Sequence, residues 1–160
     1  MVPHPSISKQ PAGLKLLAMD AEDLACLSAH LQDALVRVGD LAFLPEKNRF
    51  ALVGSRFDWA AEDGGRHERC RTGVHFEGVR RVRQRRIARG RPDAVLELLA
   101  LTFEPAGDPP GGLVRLIFAG GAAILLDVEC VEARLCDLGP RWSVTACPSH
   151  ELDEGGGGGS

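Results

Sequence analysis

Residues 69–87 read RCRTGVHFEGVRRVRQRRI, and the fold turns on how this stretch is read. Val74 and Phe76 alternate with His75 and Glu77. Further on, Arg81, Arg83 and Arg85 alternate with Val82 and Gln84. A period of two places alternate residues on opposite faces of a strand. The spacing predicts one long strand from Arg69 to Ile87, bulged or interrupted at Gly73 and Gly78. Arg81, Arg83 and Arg85 then share one face, roughly 6.5–7 Å from one to the next. Arg80 and Arg86 project from the other face with Val82 and Gln84. Cations on both faces exclude the middle of a buried sheet, because an uncompensated buried guanidinium is costly. The segment is expected at a sheet edge or as a projecting ribbon, its charge blunting indiscriminate edge pairing.

The flanking sequence supplies the partners. Upstream, Leu14–Met19 reads as a short strand. Asp20 is a helix N-cap, and Asp23 three residues on completes an approximate capping box. Leu24, Leu27, Leu31 and Leu35 recur at helical spacing, which predicts an amphipathic helix over 21–34. Leu35–Val38 and Leu41–Leu44 are extended around Gly39-Asp40, and a polar turn at 45–48 leads into Phe50–Phe57, forming a hairpin. Downstream, Ala94–Phe103 is a strongly apolar strand, followed by a Gly/Pro loop. Leu113–Phe118 and Ala122–Val128 flank Ala119-Gly120-Gly121, a tight hairpin in which glycine supplies positive φ. Val131, Leu135 and Leu138 suggest a short second helix stopped by Gly139 and Pro140. Arg141–Ala146 reads as a last short strand.

The expected fold class is therefore α+β: about six antiparallel strands in a curved sheet or small half-barrel, with two helices. A pleckstrin-homology-like barrel, one end closed by the terminal helix, is the specific version. Residues 1–12 carry three prolines and read as a flexible arm. Residues 13–148 form one globular domain, and 149–160, ending in five glycines and a serine, read as a disordered or linker-like tail.

Charge divides the chain. Its 160 residues hold 19 Lys or Arg and 22 Asp or Glu, a formal charge of −3. That balance argues against a generally basic nucleic-acid binder. Yet ten of the arginines lie between Arg66 and Arg91, opposed only by Glu68 and Glu77, so that window carries +8 and the remainder −11. No apolar run approaches the roughly 20 residues of a membrane span, and the polar first ten residues do not read as a signal peptide. The expected location is the cytoplasm. The five cysteines, Cys26, Cys70, Cys130, Cys136 and Cys147, lack CxxC spacing and read as reduced thiols rather than a disulfide framework or metal site.

Several local motifs resemble a known family. They are Ser-Ala-His-Leu-Gln-Asp-Ala (28–34), Val-Gly-Asp-Leu (38–41), Arg-Phe-Asp-Trp (56–59), Arg-Thr-Gly-Val-His-Phe (71–76) and Val-Glu-Ala-Arg-Leu-Cys-Asp-Leu-Gly (131–139). Across about 13–146 the chain resembles the uncharacterised alphaproteobacterial domain of unknown function 2948 family. The resemblance implies a small, single-domain bacterial protein of the cytoplasm, and it carries over no catalytic residue.

Two groups of residues attract functional readings. The first is the cationic set Arg71, Arg80, Arg81, Arg83, Arg85 and Arg86. Guanidinium forks pair with carboxylate or phosphate, so this ribbon is expected to engage an acidic protein or a nucleic acid, unless the chain's own acids neutralise it. No aromatic interleaves residues 79–90 for base stacking. His75 and Glu77 face the same way and are candidates to join that surface. The second is His30, Asp33 and Arg56, which would line a ligand pocket between the first helix and the sheet if they converge. Arg56 and Asp58 share a strand face, and Trp59 beside them covers the core edge or anchors a partner. Cys26 and His30 stand four apart on the helix but lack a second ligand pair, so no metal is implied. Glu129 and Glu132 read as surface charges at a helix start. No phosphate loop, nucleophile elbow or zinc signature occurs. The reading is a non-enzymatic binding or accessory protein with no cofactor. The alternatives are a small enzyme or ligand-binding domain, or a homodimer formed through the edges of 113–118 or 50–57.

Overall fold

The computed structural model describes residues 13–58 and 67–144. The expectations placed on the arm at 1–12, Trp59, the loop at 60–65, Arg66, Cys147 and the tail at 149–160 lie outside the described residues. Nine strands and one helix follow in order. They are β1 (Lys15–Ala18), α1 (Ala21–Leu31), β2 (Ala34–Leu44), β3 (Arg49–Asp58), β4 (His67–Glu77), β5 (Val79–Arg85), β6 (Val95–Pro105), β7 (Gly112–Phe118), β8 (Ala123–Val128) and β9 (Ala133–Val144). The strands form one antiparallel sheet in the order β1-β9-β4-β3-β2-β6-β7-β8-β5. The class is broadly α+β.

The start of α1 follows its sequence. The Asp23 amide donates to Asp20 Oδ1 at 2.8 Å, and the Met19 amide donates to Asp23 Oδ2 at 3.0 Å. Two donors at the helix start are thereby satisfied reciprocally. The helix ends at Leu31, three residues short of expectation. Gln32 is extended and Asp33 takes a positive φ of 67°, so the chain turns straight into β2. Leu24, Leu27 and Leu31 are buried against the sheet, and α1 packs chiefly on β6 with further contacts to β1 and β3. Ser28 Oγ accepts from the Leu101 amide at 2.9 Å. That amide lies past the end of the β2–β6 ladder, which stops at Ala34 opposite Leu98, so the helix hydroxyl takes over where the neighbouring strand ends.

The expected long arginine strand is two strands. Gly73 sits within β4 without breaking it, while Gly78 (φ 67°) turns the chain between β4 and β5. A matching turn at 129–132 joins β8 to β9. The two turns are bonded together: the Glu129 amide donates to the Gly78 carbonyl at 3.0 Å and the Glu77 amide to the Glu132 carbonyl at 2.9 Å. One run of chain, 67–85, thus pairs with another, 123–144, near both ends of the strand order, and the sheet is bent back on itself. The buried core lies on the concave side, with Phe50, Phe76, Phe118, Leu98, Leu116, Ile124, Leu126 and Leu135 among its largest members.

Two expectations fail. Residues 131–138 form no helix. Val131, Ala133 and Leu135 are buried alternately, and β9 pairs with β4 from Phe76↔Ala133 onward. Leu138, read as the third turn of a helical stripe, is 54% exposed. Three leucine or valine positions at spacings of four and three fitted a helix, but the run Val-x-Ala-x-Leu fits a strand better. The described residues contain one α-helix, not two, and the terminal helix on which the pleckstrin-homology-like version rested is absent among them. The proposed dimer edges are also unavailable. β7 is paired by β6 and β8, and β3 by β2 and β4, so neither 113–118 nor 50–57 is a free edge. The end strands are β1 and β5.

Candidate functional site

β5 pairs only with β8, and its register sorts the side chains. Arg81, Arg83 and Arg85 stand opposite Asp127, Leu125 and Ala123, while Val82 and Gln84 stand opposite the buried Leu126 and Ile124. Cross-strand partners share a face, so the three arginines point outward together, and all three are exposed. Arg80 is the extra residue of a bulge between Val79 and Arg81. Its Nη2 reaches Asp127 Oδ1 and the Val128 carbonyl, each at 3.4 Å. Among the described residues, Arg81, Arg83, Arg85, Arg86, Arg89 and Arg91 make no ion pair. Among the described residues, Arg80 is the β5 cation that meets a carboxylate.

Beyond β5, Arg86 adopts a positive φ of 55°. Its side chain turns over Gly121, where an added Cβ would lie 3.5 Å from Arg86 Cδ. On the inner side of the ribbon a groove of about 340 Å³ is lined by Phe43, Val82, Gln84, Arg86, Ile87 and Arg89. Phe43 comes from β2 and was invisible as a neighbour of these arginines in sequence, because 37 residues or more separate them. Arg71 does not join this surface. It is exposed opposite Ser55 on β4, with its Cβ beside Gly139. Roughly 20 Å of extended strand, at about 3.3 Å per residue, and the turn at Gly78 lie between it and β5. His75 and Glu77 are likewise engaged elsewhere. Glu77 Oε2 lies 2.6 Å from His75 Nδ1 and accepts from Arg49 Nε at 2.8 Å.

The second group meets in part. Arg56 is 3% exposed and grips Asp137 with two nitrogens, Nε to Oδ1 at 2.9 Å and Nη2 to Oδ2 at 2.8 Å. Asp137 Oδ2 also accepts from the Leu14 amide at 2.8 Å. Burial alone would raise the Asp137 carboxyl. Hydrogen bonds from Arg56 and the Leu14 amide, the Arg56 charge and the Thr72 hydroxyl outweigh it and hold the group below the usual carboxylate range. Asp58 stands farther off, 3.9 Å from Arg56 Nη1. His30, at the end of α1, lies within electrostatic reach of the same pair. Burial and then the Arg56 charge lower its pKa, with Asp137 opposing them. Burial, with the Asp137 charge behind it, pushes the Cys70 thiol up. Asp33 turns away to β6, where burial and then its own side-chain contact and charge raise the pKa of Glu97.

The Arg56 charge is thus felt at His30, whereas Asp33 acts on Glu97. Asp137 is the partner that sequence reasoning missed, having been placed on a helix. A strand reading of 131–139 would have put Asp137 on the same face as Val131, Ala133 and Leu135. Nε and Nη2 of Arg56 and both carboxylate oxygens of Asp137 are occupied by one another and by the Leu14 amide, so the cluster ties β3 and β9 to the residue before β1. Among the described residues no group of three His, Cys, Asp or Glu side chains could hold a metal ion, and no helix is long and apolar enough to cross a membrane.

No curated protein and no solved structure matches this chain. The family of proteins of unknown function DUF2948 matches it over residues 14–150. That span covers every strand and the helix described above, and the chain belongs to the DUF2948 family.

Proposed function

We propose that this protein is a binding or accessory module whose β5 ribbon, centred on Arg80, Arg81, Arg83, Arg85 and Arg86, docks an acidic macromolecular partner. One observation carries the reading: three arginines project in line from an end strand, exposed, and none of them makes an ion pair among the described residues. Guanidinium groups held in a row are prepared for carboxylates or phosphates. Cys26, Cys70, Cys130 and Cys136 are free thiols, which suits the reducing cytoplasm and belongs to the same reading.

The test is capture of acidic polymers, poly-glutamate and an oligonucleotide, by immobilised protein at low and high salt. Wild-type protein is expected to bind at low salt and release as salt rises. The combined variant Arg81→Glu, Arg83→Glu, Arg85→Glu is expected to lose capture while its unfolding midpoint does not fall, since all three side chains lie outside the core. Capture that ignores both salt and the triple variant would sink the reading.

A further inference from the structure

We propose that the occupant of β5 is an acidic polypeptide segment that adds to the sheet as a tenth strand. The inference deepens the acidic-partner reading and rests on it. Three features of β5 meet at one place. Its backbone is open: β5 pairs with β8 alone, and on its other side only Val79 finds a backbone partner, its amide donating to the Asn48 carbonyl at 2.8 Å. Among the described residues, the main-chain groups of 80–85 that point away from β8 have no backbone partner. Its outer face is a row of cations, Arg81, Arg83 and Arg85. Its inner face borders a groove of mixed character, in which Phe43, Val82 and Ile87, all half-buried and packed on the core, lie beside Gln84, Arg86 and Arg89.

An added strand meets all three features at once. Its amides and carbonyls continue the ladder. Its side chains alternate as those of β5 do, so one set faces the arginines and the other enters the groove. The complementary sequence is acidic at every second position and aliphatic between. The charge makes an open edge selective: neutral strands gain nothing from the arginines and cationic ones are repelled. A second copy of β5 is repelled too, because antiparallel self-pairing sets arginine against arginine. A polynucleotide would use the cations but leave the main-chain edge unpaired, and for that reason the polypeptide is favoured.

The probe is a fluorescently labelled heptapeptide of alternating Glu and Val, followed by polarisation. Its comparisons are a peptide of the same composition with its glutamates and valines in two blocks, two versions N-methylated on one or the other alternate set of amides, and a dodecamer of thymidylate. The alternating peptide is expected to bind best. The block peptide and one N-methylated version, but not the other, are expected to bind about tenfold more weakly or worse. The Arg81→Glu, Arg83→Glu, Arg85→Glu variant is expected to lose them all. Equal binding of both N-methylated peptides and the parent, equal binding of block and alternating peptides, or tighter binding of the oligonucleotide overturns strand addition while leaving the acidic-partner reading standing. Failure of every acidic probe overturns both.

Discussion

Arg56 and Asp137 show how a single pair holds distant parts of the chain. They lie 81 residues apart, on β3 and β9, and the Leu14 amide joins them from the residue just before β1. Removing one member of a buried pair leaves the other charged and uncompensated, which typically costs about 3–5 kcal/mol. Asp137→Asn is therefore expected to lower stability by about that much in urea unfolding at pH 7. Its pH dependence carries a second signature. Asp137 has a folded pKa below its unfolded value, so its contribution is fully present above about pH 4. It is lost as pH falls through the folded pKa. His30 also has a lowered folded pKa. Its neutral form is the one folding favours, so its contribution is present above about pH 6.5 and is lost as pH falls through its own folded value. Wild type should thus weaken in two acid limbs. In Asp137→Asn the limb below about pH 4 should shrink, while the upper limb, which comes from His30, should deepen, because the Asp137 charge that opposed the lowering of the His30 pKa is gone. Unfolding midpoints at pH 7, 5 and 3 distinguish the two.

At the scale of elements, the turn at Gly78 sets the shape of the sheet. Its φ of 67° lies where a side chain clashes with its own backbone, although the nearest atom to an added Cβ is 3.6 Å away. The strain is local, not steric crowding. Gly78→Ala is expected to destabilise by about 1–2 kcal/mol and to loosen both β4 and β5, read as faster amide exchange at Glu77 and Glu129, whose bonds staple the turn. How much of this was legible in sequence follows from what each element relies on. The Asp20–Asp23 cap, the 119–121 turn with its two positive-φ glycines and the β2–β3 hairpin depend on nearby residues, and the sequence shows them. β9 depends on β4, more than 55 residues away, and its short apolar pattern fitted two periods until that pairing broke the tie. For the same reason the arginine row was visible as a strand face, while Phe43 beside it and Asp137 beneath Arg56 were not. Asp137 reaches Arg56 across the intervening β4, and Phe43 comes to the arginines from β2, pairings that no local pattern reveals.

For the molecule as a whole, the separation of −11 from +8 is a matter of placement as well as number. An acidic body with surface acids to spare could have paired its arginines, yet of the β5 cations only Arg80 meets a carboxylate among the described residues, and that at 3.4 Å. Arg81, Arg83 and Arg85 repel one another at a spacing of roughly 6.5–7 Å, inside the Debye length of about 10 Å at 0.1 M salt. Such an arrangement lowers stability slightly, so the strand is poorly explained as a solubilising surface alone, for which alternating signs would serve better. The conflict makes a prediction of unusual sign. Arg83→Glu, at the centre of the row, replaces two repulsions by two attractions and should raise stability by a few tenths of a kcal/mol, the scale of exposed pairs. The gain should be largest at low salt and vanish near 1 M, where the Debye length falls to about 3 Å. The same substitution should weaken capture of acidic polymers. A single change that stabilises the fold while impairing binding is the expected mark of a surface kept for a partner. If Arg83→Glu instead destabilises the protein at low salt, the row is bonded within the molecule and the docking argument loses its basis.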